Sequence, residues 1–239
     1  MALIKLESTQ STNEYVKLNR DQLQNFDVVY TFHQTHGKGR KQNLWYSSKD
    51  SLTFSICIKT TLTHQILSTI PFFTGYILHQ ALIPFSNHLW IKWPNDILLE
   101  HKKVAGILTE SIIQHNHVTL IVGIGINVNQ TTFPDDLTDK AISLRQVTSK
   151  TIPLEELLNQ ITHQFISQFN DYIKHPQDVI NYCQHHLAYK GQTITFQHQN
   201  KEMIGQLKGI NSKGHLIVQI GNQQVTYLSG EIKQIHKTS

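Results

Sequence analysis

Residues 118–129, VTLIVGIGINVN, constrain this chain more than any other stretch. The run is too short to cross a membrane and rich in β-branched residues. It reads as a strand with both faces covered, which places it at the centre of a sheet. Gly123 and Gly125 stand two apart, so they share one face and clear it of side chains, and Asn127 ends that face with an amide. A bulge would account for one glycine. Two on one face ask for something to approach the strand.

The flanking segments supply the rest of such a sheet. Residues 2–6, 26–33, 51–60 and 89–93 are strand-like, and DILLEHKKVAGILTESII reads as a hairpin turning at His101-Lys102. In ESTQSTNEYVKL, Ser11 or Thr12 is placed to cap a helix with Glu14 in its first turn and Tyr15, Leu18 and Leu23 on its apolar side. Residues 63–83 are helical in pattern, with Pro71 expected to kink or split them. Leu154, Leu157, Leu158, Ile161, Phe165, Phe169 and Ile173 recur at helical spacing and mark a core stripe. A shorter helix is predicted over 176–186. From Gly191 the texture changes to five short strands separated by NK, NSKG, GNQ and SG, a pattern that suggests a small barrel. The expected boundary is near residue 188, giving units 1–188 and 189–239.

Composition narrows the function classes. With 239 residues and 39% hydrophobic content the chain has material for a real core, and no signal-peptide pattern opens it. Cys57 and Cys183, far apart, suit a reducing compartment, so a cytoplasmic location is expected. Fifteen histidines include no HExxH and no Cys/His quartet, and no metal-binding side chains are identified. A net charge of +4 is a mild attraction for anions.

Three further stretches carry chemistry. In HQTHGKGRKQNLW, Gly37 and Gly39 admit a ligand to the backbone while Lys38, Arg40 and Lys41 surround it with positive charge, as a phosphate or carboxylate requires. In KWPND, Pro94 holds Trp93 extended and leaves Asn95 and Asp96 on an abrupt corner. Asn and Asp at a turn also serve as ordinary Asx turns. Lys103 sits just inside an apolar strand, which is awkward unless its amine reaches an anion, and Gly106 again clears the strand beside it.

Taken together, ESTQSTN, GKGRKQNLW, KWPNDILL, KKVAGILTE, IVGIGINVN and the late SGEI resemble the biotin protein ligases in order and spacing, over essentially the whole chain. The resemblance implies an α+β fold, a mixed sheet flanked by helices as in class II aminoacyl-tRNA synthetases, followed by an SH3-like barrel. It implies biotin, ATP and Mg²⁺, a biotinyl-adenylate, and a lysine of a biotin carboxyl carrier domain as acceptor. Ser11, Thr12, Asn13 and Gln34 would then hold biotin, with Gly37, Lys38, Gly39 and Gly106 beside them. Arg40 and Lys103 would serve biotin and nucleotide alike, and catalysis would rest on Lys103, Arg40 and Asp96. Trp45, Asn95, Asp96 and Asn127 would face the nucleotide. In its own loop Trp45 reads as an exposed aromatic.

Lys38 stands where the family has arginine, Gln42 replaces a common glycine, and Ile235 replaces a C-terminal arginine for which Lys233 or Lys237 is a candidate substitute. A repressor's helix-turn-helix has no room before residue 1, so no nucleic-acid partner and no membrane partner are expected. A lipoate or octanoate transferase would lack the KWPND corner, and a non-catalytic biotin binder would leave Lys103 and Arg40 idle. A homodimer through a sheet edge is expected, with 117–128 as the candidate strand.

Overall fold

The computed structural model describes residues 1–199 and 201–236, so Lys237 lies outside the described residues. Seven strands form the first sheet: β1 (Leu3–Lys5), β2 (Val28–Thr31), β3 (Ser51–Thr60), β4 (Leu89–Lys92), β5 (Asp96–Leu99), β6 (Lys102–Gln114) and β7 (His117–Asn127). Their order is β1-β2-β3-β7-β6-β5-β4, with β1 parallel to β2 and every other pair antiparallel. The apolar run 117–127 is thus the central strand, as its composition predicts. It is therefore not an edge, which removes it as a dimer strand. Besides the end strands β1 and β4, β6 leaves part of its edge open: β5 covers only Lys102–Gly106, and residues 108–114 pair with β7 alone.

Register sorts the side chains into two layers. Leu52, Phe54, Ile56 and Ile58 of β3 join Val122, Ile124 and Ile126 of β7 on one face. Helices α2 (His64–Leu82), α4 (Leu154–Lys174) and α5 (Pro176–His185) complete that core. Phe73 sits in its middle, 4.4 Å from the Tyr172 ring and 4.8 Å from Phe165. Helix α2 continues through Pro71 and is not split there, splitting being one of the two outcomes expected of that proline. It is long and apolar enough to pass for a membrane span, yet eleven of its residues are buried.

The opposite face carries Ser51, Thr53, Ser55 and Cys57 of β3, all buried although mostly polar. Helix α1 (Thr12–Asn19) covers the lower part of this face through Val16, over Val29, Cys57 and Ile121. Leu18, expected on its apolar side, is exposed. Ser11 occupies the N-cap position without a side-chain cap bond. Gln34 takes that task instead, its Oε1 accepting from Thr12 N–H at 2.9 Å, so a loop residue caps the helix.

The β5–β6 hairpin turns at Glu100-His101, one residue earlier than predicted. Both have positive φ, as a two-residue primed turn demands. Glu-His lacks the Asn-Gly signature, so the turn is not legible in the sequence. A short helix α3 (Leu144–Thr148), with a Ser143–Gln146 capping box, lies in a stretch whose sequence reads as loop.

The last five strands, β8 (Thr193–His198), β9 (Lys201–Ile210), β10 (Leu216–Ile220), β11 (Gln223–Tyr227) and β12 (Glu231–His236), form one antiparallel sheet ordered β11-β10-β9-β8-β12. No β11–β12 pairing closes it into a barrel among the described residues. Trp93, which follows β4 and precedes a cis proline, docks this sheet onto the first: its Nε1–H donates to Gly214 O at 3.0 Å in a buried contact.

Trp93→Phe keeps an aromatic ring but leaves that buried carbonyl without its donor. A loss of about 1–3 kcal/mol is expected. Urea unfolding measures it, and hydrogen exchange should locate the loosening in residues 193–236. Unchanged stability and protection would show that the bond is not a joint.

Candidate functional site

A single row of cross-strand neighbours defines the site. Thr53, Gly125, Gly106, Asp96 and Lys92 are successive Cα partners across β3, β7, β6, β5 and β4, so their side chains share one face. Two adjacent members of that row are glycines. Gly123 clears the next row, between Ser55 and Leu108. The result is a bare lane across the middle of the sheet, walled by polar and charged groups at both ends.

What fills the lane explains the glycines. A Cβ on Gly125 would strike the Trp45 ring, one on Gly106 would lie 3.0 Å from it, and one on Gly123 would strike the Asn13 amide. Trp45 is therefore not the exposed aromatic that its polar loop suggests. The loop bends through a 3-10 turn at Arg40–Gln42, Trp45 N–H donates to Gly37 O, and the indole lies on the sheet. Its Nε1 is buried without a hydrogen-bond partner. Leu44 is the loop's exposed apolar residue.

Lys103 reaches this face because of a defect in the ladder. Ile97 opposes Ala105 and Leu98 opposes Lys103, so Val104 is an extra residue, a β-bulge. Lys103 and Gly106 are three positions apart, which in regular strand would put them on opposite faces. The bulge re-aims the lysine. Its Nζ lies 2.7 Å from Asp96 Oδ1 and 5.3 Å from the Trp45 ring centre. The ammonium–carboxylate contact is close but lacks hydrogen-bond alignment, and that oxygen has no other donor. Asn127 faces the lane's end with its amide already engaged: Nδ2 donates to Lys103 O and Oδ1 accepts from Gln130. It ties the bulged strand and is not among the residues that line the cavity.

Arg40 joins three elements. Its guanidinium donates, at 3.4 Å each, to Asn95 Oδ1 on the corner and to Gly230 O before β12. Burial lowers its pKa, while Asp96 and Glu231 act to raise it. Asn95 continues the sheet beyond β5: its Nδ2 and O pair with Ile107 O and N at 2.8 and 2.9 Å. Lys92, at the end of the row, has its pKa lowered by burial, against which Asp96 acts to raise it.

Of the predicted residues, Ser11, Thr12, Asn13, Gln34, Lys38, Gly39, Arg40, Trp45, Asn95, Asp96, Lys103 and Gly106 line one cavity of about 120 Å³; Gly37 and Asn127 do not. Sequence reasoning missed Thr53 and Asn43 on its walls, and gave no role to Gly230 and Glu231 of the SGEI stretch. The polar alternation of β3 was the available signal for Thr53. Burial acts to raise the Glu231 carboxyl, yet Lys233, Lys41 and Lys92 hold it below the ordinary value. Lys233 Nζ stands 2.8 Å from Glu231. No three His, Cys, Asp or Glu side chains converge as a metal cage among the described residues.

Residues 5–127 match the model of the biotin/lipoate A/B protein ligase family. The bifunctional ligase/repressor BirA of Bacillus spizizenii is 30% identical over 220 residues, covering 90% of this chain and 67% of that protein. The biotin–[acetyl-CoA-carboxylase] ligase of Mycobacterium tuberculosis is 22% identical, covering 86% and 77%. A solved biotin protein ligase from Aquifex aeolicus, in complex with biotin and ATP, superposes with a TM-score of 0.87 over 99% of both chains at 26% identity. This chain belongs to the biotin/lipoate A/B protein ligase family, and within it to the biotin protein ligases.

If the glycine lane is what seats Trp45, Gly125→Ala should displace the indole without unfolding the sheet. Trypsin cleavage at Lys38–Lys41 is then expected to quicken roughly ten-fold, about 1.4 kcal/mol of loop docking. Wild-type cleavage rates in a folded variant would contradict the packing.

Proposed function

We propose that this enzyme joins the biotin carboxylate to the α-phosphate of ATP, releasing diphosphate, and passes the biotinyl group from the adenylate to one lysine of a cytoplasmic biotin carboxyl carrier domain, releasing AMP. The observation that carries the reading is the bare lane with Lys103, Asp96 and Arg40 converging on it. Bringing a carboxylate up to a phosphate unites two anions, so a site must neutralise charge and fix the line of attack.

Each role follows from placement. Lys103, held by the bulge and by Asn127, meets the carboxylate and the α-phosphate where they react. Its contact with Asp96 holds the amine over the lane, and an entering anion competes with that carboxylate. Arg40 closes the loop onto the corner and the β12 end. Asn95 fixes the corner, and Trp45 turns from the lane to cover the adenine. Ser11, Thr12, Asn13 and Gln34, clustered at the α1 N-terminus, take the ureido end of biotin.

The triphosphate would be accompanied by Mg²⁺. One carboxylate plus phosphate oxygens is an ordinary Mg²⁺ shell, and Asp96, with an oxygen lacking a hydrogen-bond donor, is the residue to meet it. Bound there, the ion would offset phosphate charge. The reading carries no DNA-binding role, which a gel shift tests. A homodimer is proposed through the open β6 edge at 108–114, where Ile113 is exposed; a monomer in sedimentation would remove it.

Pyrophosphate release from ATP with biotin, lipoate and octanoate in parallel tests the chemistry; biotin should be preferred, and release with lipoate or octanoate alone would refute it. Lys103→Ala should fold and lose on the order of 10²–10³ in adenylation rate. Near-normal release by the folded variant would reject its role. Arg40→Gly is expected to shorten the time for which biotinyl-adenylate stays bound and to widen lysine labelling. An unchanged half-life of the intermediate would count against that.

A further inference from the structure

Glu110, the last residue of KKVAGILTE, lies on β6 one row below the cavity and has so far been given no role. Its position in the register puts it on the site face, beside Ile121 and Cys57, under helix α1. Both of its oxygens are engaged. Oε2 accepts from Asn13 Nδ2 at 2.8 Å, and Oε1 meets Lys17 Nζ at 2.7 Å. Asn13 Nδ2 donates also to Leu108 O at 3.3 Å, so both of its protons point away from the lane.

That leaves Asn13 Oδ1 as the atom turned over Gly123, 2.6 Å from the Ser55 hydroxyl. Ser55 also stands 2.7 Å from Thr12 Oγ1, and Thr12 contacts Gln34. An unassisted asparagine amide can present either end. A carboxylate can only accept, so Glu110 admits only one orientation of the amide. Lys17, which also contacts Glu14 at 2.9 Å, holds the carboxylate in turn, and Glu14 reaches Lys38 of the glycine loop at 3.1 Å.

We propose that Glu110 is a specificity-determining positioning residue: by fixing the Asn13 amide it makes the slot present a carbonyl acceptor, which selects a carboxylic acid bearing a cyclic urea N–H over one without it. The inference rests on the biotin reading above. Glu110 touches no substrate. It acts through Asn13, and the Lys17 ammonium at 2.7 Å holds it in place.

The test compares biotin with lipoate, which shares the carboxylate chain but has no urea, in steady-state pyrophosphate release. Glu110→Gln can offer Asn13 a donor as readily as an acceptor and frees the amide to flip. The biotin KM should rise about ten- to a hundred-fold, the cost of a misdirected buried polar group, with kcat little changed. Activity with lipoate should not fall, so selectivity drops. Lys17→Met should shift the biotin KM in the same direction by less. The decisive variant combines Asn13→Asp with Glu110→Gln. In that swap the amide on β6 donates to the carboxylate on α1, and an acceptor faces the lane again. It should recover much of the biotin KM relative to Glu110→Gln alone. A biotin KM within two-fold of wild type in folded Glu110→Gln, or a swap no better than the single change, would overturn the proposal. Wild-type protein that releases no pyrophosphate with biotin would overturn the ligase reading and the proposal together.

Discussion

The pairing of Gly106 with Gly125 across β6 and β7 is the contact on which the rest of the site depends. A sheet face in a folded core is normally filled by side chains, and removing one leaves a cavity that costs stability. Here two neighbouring strands both give up their Cβ atoms at the same level, and a loop from elsewhere in the chain supplies the filling. The Trp45 indole rests there, so the face is packed by a group carried on a loop.

Charge is arranged around the same lane. Lys103 is a half-buried ammonium, Asp96 faces it, and Lys92 and Arg40 lose solvation nearby. Burial makes unpaired charge expensive, which explains why Lys103 and Arg40 each have an oxygen close by. The Lys103–Asp96 contact is close without being a well-aligned hydrogen bond. On the proposed reading, a carboxylate or phosphate in the lane would compete with Asp96 for this lysine. The cis Trp93–Pro94 corner, Arg40 and the Gly230 turn bring the C-terminal sheet against this region, so the wall of the site includes a second unit of the chain.

Much of this is legible from residue types. The central place of 117–127 follows from its composition, and the polar face of β3, alternating with Leu52, Phe54 and Ile56, is buried because it faces the site. Twelve of the fourteen candidate site residues line one cavity, with Gly37 and Asn127 apart. What sequence does not show depends on contacts between distant segments. The bulge that turns Lys103 exists only relative to β5. The Gln34 cap on α1 and the seat of Trp45 join residues far apart in the chain, and local pattern assigns them to Ser11 and to solvent. The Glu100-His101 turn is misplaced by sequence because primed turns normally advertise themselves with Asn or Gly. Two glycines on one face do signal clearance, yet their occupants, Asn13 and Trp45, are not predictable from spacing.

Transfer is the most direct measure of whether the lane unites a carboxylate with a nucleotide and delivers the product. A biotin carboxyl carrier domain would be incubated with the protein, ATP, Mg²⁺ and equimolar biotin and lipoate, then weighed intact and mapped by peptide mass spectrometry. The account predicts one biotinyl group on a single lysine, formed only when ATP is present. A lipoyl group on that lysine, or an unmodified carrier beside folded protein, would contradict it.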